Sequence, residues 1–194
     1  MYYARSIDPT MLMALNSLAV VQKNLTIETA KQITQLLNYS ATHPYAIIEY
    51  KKSGMILQMY YNAFYISEPE ARSRAGGYFS LGPNSKTPIQ EIPPENGPVH
   101  VEFSITRNFL TSATEEELVW SFENCQKVTS MRISLSEMVH LQPPTPVETE
   151  NTAANNIFNG KVRQRRSCAI DMIFYWFRDR IRKKPFPHIL GRRK

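Results

Sequence analysis

Residues 55–82 constrain the fold more than any other part of the chain. Two runs, MILQMYYNAFYIS and GGYFSLG, are dense in aromatic and aliphatic residues, and the charged turn EPEARSR lies between them. The first run contains no Pro or Gly. Aromatic and β-branched side chains suit a pleated, half-buried surface, so both runs read as strands. A third run, PVHVEFSITR, follows a Pro-, Gly- and Asn-rich connection over 82–98, and AIIEY at 46–50 reads as a further strand ahead of them. Strands in this succession predict an antiparallel meander. One residue is out of place in it: Asn62, mid-strand, carries an amide that needs partners wherever it is buried.

Helical patterns surround the meander. Asp8 and Pro9 supply an N-cap and N1 for a helix over 9–22, with Met11, Leu15, Leu18 and Val21 on one face. Thr26 caps a second helix over 27–39, with Ile33, Leu36 and Leu37 toward a core, and the residues before Pro44 end it. Ser112 and Glu115 form an S-x-x-E capping pattern ahead of Leu118, Phe122 and Cys125 on one face, and a separate short helix is expected near 131–140. PVETE is a short strand candidate, NTAANNIFN a short helix, and CAIDMIFYWFRDRIRKK a last helix that is apolar almost all round. Such a helix is buried on several sides or meets a protein partner. The order predicts an α/β or α+β fold with a mixed sheet covered by helices.

At 194 residues the chain suffices for one domain with a proper core. No apolar run approaches the roughly 18–20 residues of a membrane span, and the N-terminus lacks the basic-then-apolar order of a signal peptide. An intracellular protein, cytoplasmic or nuclear and without a membrane partner, is expected. Cys125 and Cys168, far apart and outside any CxxC, exclude a disulfide framework and a structural zinc site. Charge is uneven: residues 161–194 hold twelve Lys/Arg against Asp171 and Asp179, whereas the rest of the chain is mildly acidic. A basic segment of this kind suits a polyanion such as nucleic acid, although charge alone fits a solvated tail equally well.

Phosphate-binding loops, HExxH and GxSxG are absent, and the four histidines lack metal-ligand spacing. What remains is a scattered set: Asn62, the run Glu115–Glu117, Glu150 followed by Asn151, and Asp171. Acidic residues favour the first turn of a helix, which by itself explains the EEE run.

Four pieces in order resemble a known family. YYNAFYISEPEARSRAGGYFSLG resembles a strand, turn and strand in which an Asp followed by Ala lies on the first strand. TSATEEELVWSFENC resembles a helix start with an essential Glu. PTPVETENTAANNIFN resembles a strand ending in Asp-Asn, and RQRRSCAIDMIFYWFRDRI resembles a basic turn and helix. Together they resemble the ribonuclease H domain that ends the Pol polyprotein of copia-type LTR retrotransposons.

The resemblance implies a ribonuclease H-like mixed five-stranded sheet flanked by helices, preceded by two helices. Residues 1–44 look like the tail of the reverse transcriptase, 45–184 like the ribonuclease H domain, and 185–194 are left as a basic tail. The domain is expected to be C-terminally truncated, without the family's last strand and helix. The implied activity is Mg²⁺- or Mn²⁺-dependent hydrolysis of the RNA strand of an RNA/DNA hybrid, with carboxylates around two metal ions roughly 3.5–4 Å apart.

Carried over by residue, the site positions are Asn62, Glu117, Glu150 and, matching a different acidic position, Asp171. Of these, Glu117 and Glu150 keep a charge for metal. An amide at 62 and a side chain one methylene longer at 150 imply a weakened or lost nuclease, because Mg²⁺ demands strict octahedral geometry. Arg163, Arg165 and Arg166 are the implied nucleic-acid contacts. Tyr60, Tyr61 and Tyr65 read either as a stacking platform for bases or as ordinary sheet packing. A non-catalytic nucleic-acid-binding module and a protein-interaction module through helix 168–182 are the other readings.

Overall fold

The computed structural model describes residues 2–68, 72–83, 96–106, 112–149, 151, 156, 168–182 and 188–190. Its frame is a five-stranded mixed sheet. Strand β1 (Ile56–Glu68) pairs antiparallel with β2 (Arg72–Gly82), and β2 pairs antiparallel with β3 (Pro98–Ile105). On the other side of β1, β4 (Val147–Thr149) runs parallel to it, and β5 (His188–Leu190) runs parallel to β4. The order is β3-β2-β1-β4-β5, the mixed five-stranded sheet flanked by helices that the resemblance implies.

The β1–β2 hairpin follows from its sequence. Leu57, Met59 and Tyr61 alternate with half-buried neighbours, as expected of a strand covered on one face. Near the turn the register slips between Phe64 and Glu68, and Ile66 takes a left-handed φ of 49°. Its backbone N–H donates to Ser73 Oγ at 3.0 Å, and Arg74 Nε donates to Glu68 Oε1 at 2.6 Å, which closes the irregular end.

A single 25-residue helix, α4 (Ala113–Glu137), covers one face of β1 and β2. The separate helix expected near 131–140 is its continuation, because no Pro or Gly interrupts 113–137. Leu118, Trp120, Cys125 and Val128 meet Leu57, Met59 and Tyr61 of β1, Ala75 and Phe79 of β2, and Val147 of β4. Each fully buried aliphatic or aromatic side chain there contributes about 1.5–3 kcal/mol. Helix α5 (Cys168–Arg182) adds Ile173, Trp176 and Phe177 to this core, with Trp176 edge-on to Phe122 at 5.0 Å between centroids. One face of that helix is therefore satisfied within the chain, while Met172 and Tyr175 stay exposed.

The N-terminal segment packs on the sheet's other face. It comprises α1 (Tyr2–Ser6), a 3-10 turn at Pro9–Met11, α2 (Leu12–Val21) and α3 (Ile27–Thr42). Asp8 caps the turn as expected, accepting from Thr10 N–H at 3.1 Å, and Thr26 caps α3 by accepting from Thr29 N–H at 3.1 Å. Ala4, Met11 and Leu12 form a second small core with Leu15, Leu36, Val101 and Phe103. Leu36 thus faces inward, but Ile33 and Leu37 do not and are exposed. Asn16 donates to the Phe103 carbonyl and Tyr50 to the Pro98 carbonyl, which masks part of the β3 edge.

Two strand expectations need correction. AIIEY is not a strand: its neighbourhood is held by Asn96, whose side chain accepts from Lys51 N–H at 2.7 Å and donates to the carbonyls of Lys51 and Leu81. Beside it, Gly97 N–H donates to the Glu49 carbonyl at 2.9 Å, so one backbone bond and the Asn96 side chain stand where a ladder was expected. Conversely, the strand expected to be missing is present: β5 lies within 185–194, the segment read as a basic tail, in register with β4 through Val147↔His188 and Thr149↔Leu190. The helix expected over NTAANNIFN falls largely outside the described residues.

Candidate functional site

The start of α4 lies over the ends of the strands. Ser112 caps it, accepting from Glu115 N–H at 3.2 Å, and its carbonyl accepts from Glu116 N–H at 3.1 Å. The helix dipole favours carboxylates in this first turn. Burial separates the three glutamates, for Glu115 is half-buried while Glu116 and Glu117 are buried.

Glu116 turns toward β2 and β3. The Thr106 hydroxyl donates to its Oε1, and the Trp120 indole N–H donates to the same oxygen at 3.0 Å and to Thr106 Oγ1 at 2.7 Å. Burial raises its pKa above the ordinary carboxylate value, against the hydrogen-bonding pull of Thr106, Trp120 and Ser73.

Glu117 turns toward β1 and β4. Its Oε2 accepts from the Thr149 hydroxyl at 3.4 Å, and Thr149 Oγ1 accepts from Asn151 N–H at 3.1 Å. Tyr61 is fully buried beside this pair. Burial, and then the charge of Glu117, raise the phenol's pKa. The Ser121 and Thr149 hydroxyls moderate the shift without forming a full hydrogen bond to it. Tyr61 is therefore a neutral packing residue with a polar tip, and of the two readings of the tyrosines it takes the packing one.

Asn62 sits one residue on and half-buried, opposite Gly76 of β2. Its face follows from the pleat and from the two glycines. A Cβ on Gly77, the partner of Tyr61, would meet Asn124 of α4, whereas a Cβ on Gly76, the partner of Asn62, would meet Phe103. Opposed residues of an antiparallel pair share a face. Asn62 thus belongs to the face away from α4, and the structure does not bring it together with Glu117.

Asp171 is half-buried in the first turn of α5, and among the described residues no hydrogen bond or ion pair links it to Glu117 or Asn62. Glu150, Arg163, Arg165 and Arg166 lie outside the described residues. Sequence reading missed Thr149 and the burial of Tyr61. Counting alternate positions from Leu57 would have placed Tyr61 inward, but nothing singled out Thr149 beside the acidic residue that follows it.

Among the described residues, which do not include Glu150, the donors are fewer than a two-metal centre needs. They amount to two buried carboxylates, Glu116 and Glu117, turned to different strands and each engaged by a threonine hydroxyl, a neutral phenol, and an amide on the opposite face. Among the described residues, no three His, Cys, Asp or Glu side chains gather to hold a metal ion. Two Mg²⁺ ions require several oxygen ligands at octahedral positions. Nor is any described helix long and apolar enough to cross a membrane.

No protein-family model and no curated protein matches the chain. Solved structures similar to the chain include two of LC11-RNase H1. The crystal structure of LC11-RNase H1 in complex with an RNA/DNA hybrid is 8% identical with a TM-score of 0.44, covering 70% of this chain and 83% of that one. A second structure of LC11-RNase H1, isolated from compost by a metagenomic approach, is 10% identical with a TM-score of 0.43, covering 72% and 84%.

Proposed function

We propose that this chain is a ribonuclease H-like protein of copia-type retrotransposon descent that engages an RNA/DNA hybrid, or a related nucleic acid, without cutting it. In this reading residues 1–44 derive from the end of the reverse transcriptase, 45–184 and the β5 strand from the ribonuclease H domain, and the protein works inside the cell. The observation that carries the reading is the state of the site: Glu117 is buried and bonded to Thr149, and Asn62 is an amide on the other face of β1. In the family pattern both positions belong to the metal-binding set; here one is a carboxylate that accepts from a hydroxyl and the other is an amide.

The binding half of the proposal draws on the basic run around Arg163, Arg165 and Arg166. Phosphate contacts make affinity fall steeply with salt. Fluorescence anisotropy with a labelled RNA/DNA hybrid at 50 and 200 mM salt tests it. Replacing the three arginines with alanine should flatten the slope of log Kd against log salt by about 2–3. Absence of binding at low salt would reject the reading.

A second reading, a protein-interaction module, has one observation in its favour. Met172 and Tyr175 of α5 remain exposed, whereas Ile173, Trp176 and Phe177 pack into the core. A clean monomer in gel filtration, with or without hybrid, would count against it.

A further inference from the structure

Helix α4 touches the segment that carries β4 at two separated places, with a guanidinium donor before the strand and a carboxylate acceptor at its end. Upstream of the strand, Arg132 donates to the carbonyls of Gln142 (2.8 Å) and Pro143 and to Thr145 Oγ1 at 2.6 Å. At the strand's end, Thr149 donates to Glu117 Oε2 and accepts from Asn151 N–H. Thr145 and Thr149 are both buried. From Glu117 to Arg132 the helix advances about 22 Å at 1.5 Å per residue. From Pro143 to Thr149 an extended chain advances about 20 Å at 3.3 Å per residue. The two spans match, and they run in opposite directions.

Strand β4 needs such support. It has three residues, pairs with β1 only at Met59↔Val147 and Tyr60↔Glu148, and carries β5 on its other side. We infer that α4 is a two-point clasp on β4, in which Arg132 holds the upstream end, and Glu117, instead of serving as a ligand for a divalent cation, holds the downstream end through Thr149. The carboxylate that the family pattern assigns to metal then has a structural partner inside the protein. The clasp stands on the described contacts whether or not the chain binds a hybrid.

The test uses the whole chain without nucleic acid. Amide hydrogen exchange is followed in the native protein and in Thr149→Val, Glu117→Gln and Arg132→Met, alongside melting curves with and without 10 mM Mg²⁺ or Mn²⁺. The clasp predicts that Thr149→Val speeds exchange at the β4 amides about 10- to 100-fold, while Val128 in the middle of α4 is unchanged. It also predicts that adding Glu117→Gln to Thr149→Val brings no further loss, and that neither cation moves the native melting temperature. Arg132→Met should loosen the upstream end of the same strand, and it keeps the test open if Thr149→Val fails to fold. Native exchange rates at β4 in the substituted chains would overturn the inference. So would a saturable Mg²⁺ stabilisation that Glu117→Gln abolishes. Hybrid binding plays no part in these readouts, so a failure of the clasp is distinguishable from a failure of the proposed function.

Discussion

Replacing Gly77 with alanine tests the packing that places α4 over the site. A Cβ there would lie 2.5 Å from Asn124 Oδ1, 3.1 Å from Asn124 Cγ and 3.1 Å from Phe79 Cε2, whereas ordinary contact begins at 3.4 Å. Helix and strand must therefore separate by about 0.9 Å, or Asn124 must turn away. Asn124 is fully buried and its Nδ2 donates to the Trp120 carbonyl at 2.9 Å, so turning costs a hydrogen bond. Overpacking of this kind costs about 1–3 kcal/mol, and removing a strand glycine returns about 0.5–1 kcal/mol. The net loss is about 0–2.5 kcal/mol, which lowers Tm by up to about 10 °C in a domain of this size. Urea and thermal denaturation of Gly77→Ala, Asn124→Ala and the double substitution measure it. Because Asn124→Ala vacates the space, the pair should be less destabilised than the sum of the singles by about 1 kcal/mol. Strict additivity of the two substitutions would show that α4 does not lie over β2 as described.

Other expectations concern single residues. Helix α4 ends in paired bonds, His140 N–H to the Leu135 carbonyl and Val139 N–H to the Ser136 carbonyl, with Val139 at φ 68° and 86% exposed. A β-branched residue is strained where glycine is usual, so Val139→Gly should raise stability by about 1 kcal/mol in urea titration. The pKa of Glu116 is raised on folding, so its contribution is fully present below about pH 4.5 and is lost as pH rises through the folded value. Glu116→Gln should accordingly be more stable than the native chain at pH 8 and equal to it at pH 4, by urea midpoints. Burial pushes the Cys125 thiol up to about 12. In a Cys168→Ser background Ellman's reagent at pH 8 should react with it only as fast as the protein unfolds.

The parts of the fold legible in the sequence are those with a strong local signal. The hairpin shows itself through two aromatic-rich runs around a charged turn, and the helix starts through Asp8, Thr26 and Ser112. β5 was hidden because His-Ile-Leu is too short for any period and stands between a proline and a glycine in a basic stretch. AIIEY has a strand's composition, yet what meets it is the distant Asn96–Gly97 segment, through Gly97 N–H to the Glu49 carbonyl and Asn96 to the adjoining Lys51. In the site, the resemblance pointed to Glu117, but its partner Thr149 is a tertiary fact with no sequence mark. The face of Asn62 was open to simple counting from Tyr61, which the resemblance to a catalytic position obscured.

The most direct measurement is cleavage of a labelled RNA/DNA hybrid by the native chain in Mg²⁺ and in Mn²⁺, beside Glu117→Gln. With one buried carboxylate bonded to Thr149, and Asn62 on the far face, the hybrid should remain intact in every lane at enzyme excess. Cation-dependent cutting by the native chain that disappears in Glu117→Gln would contradict the account.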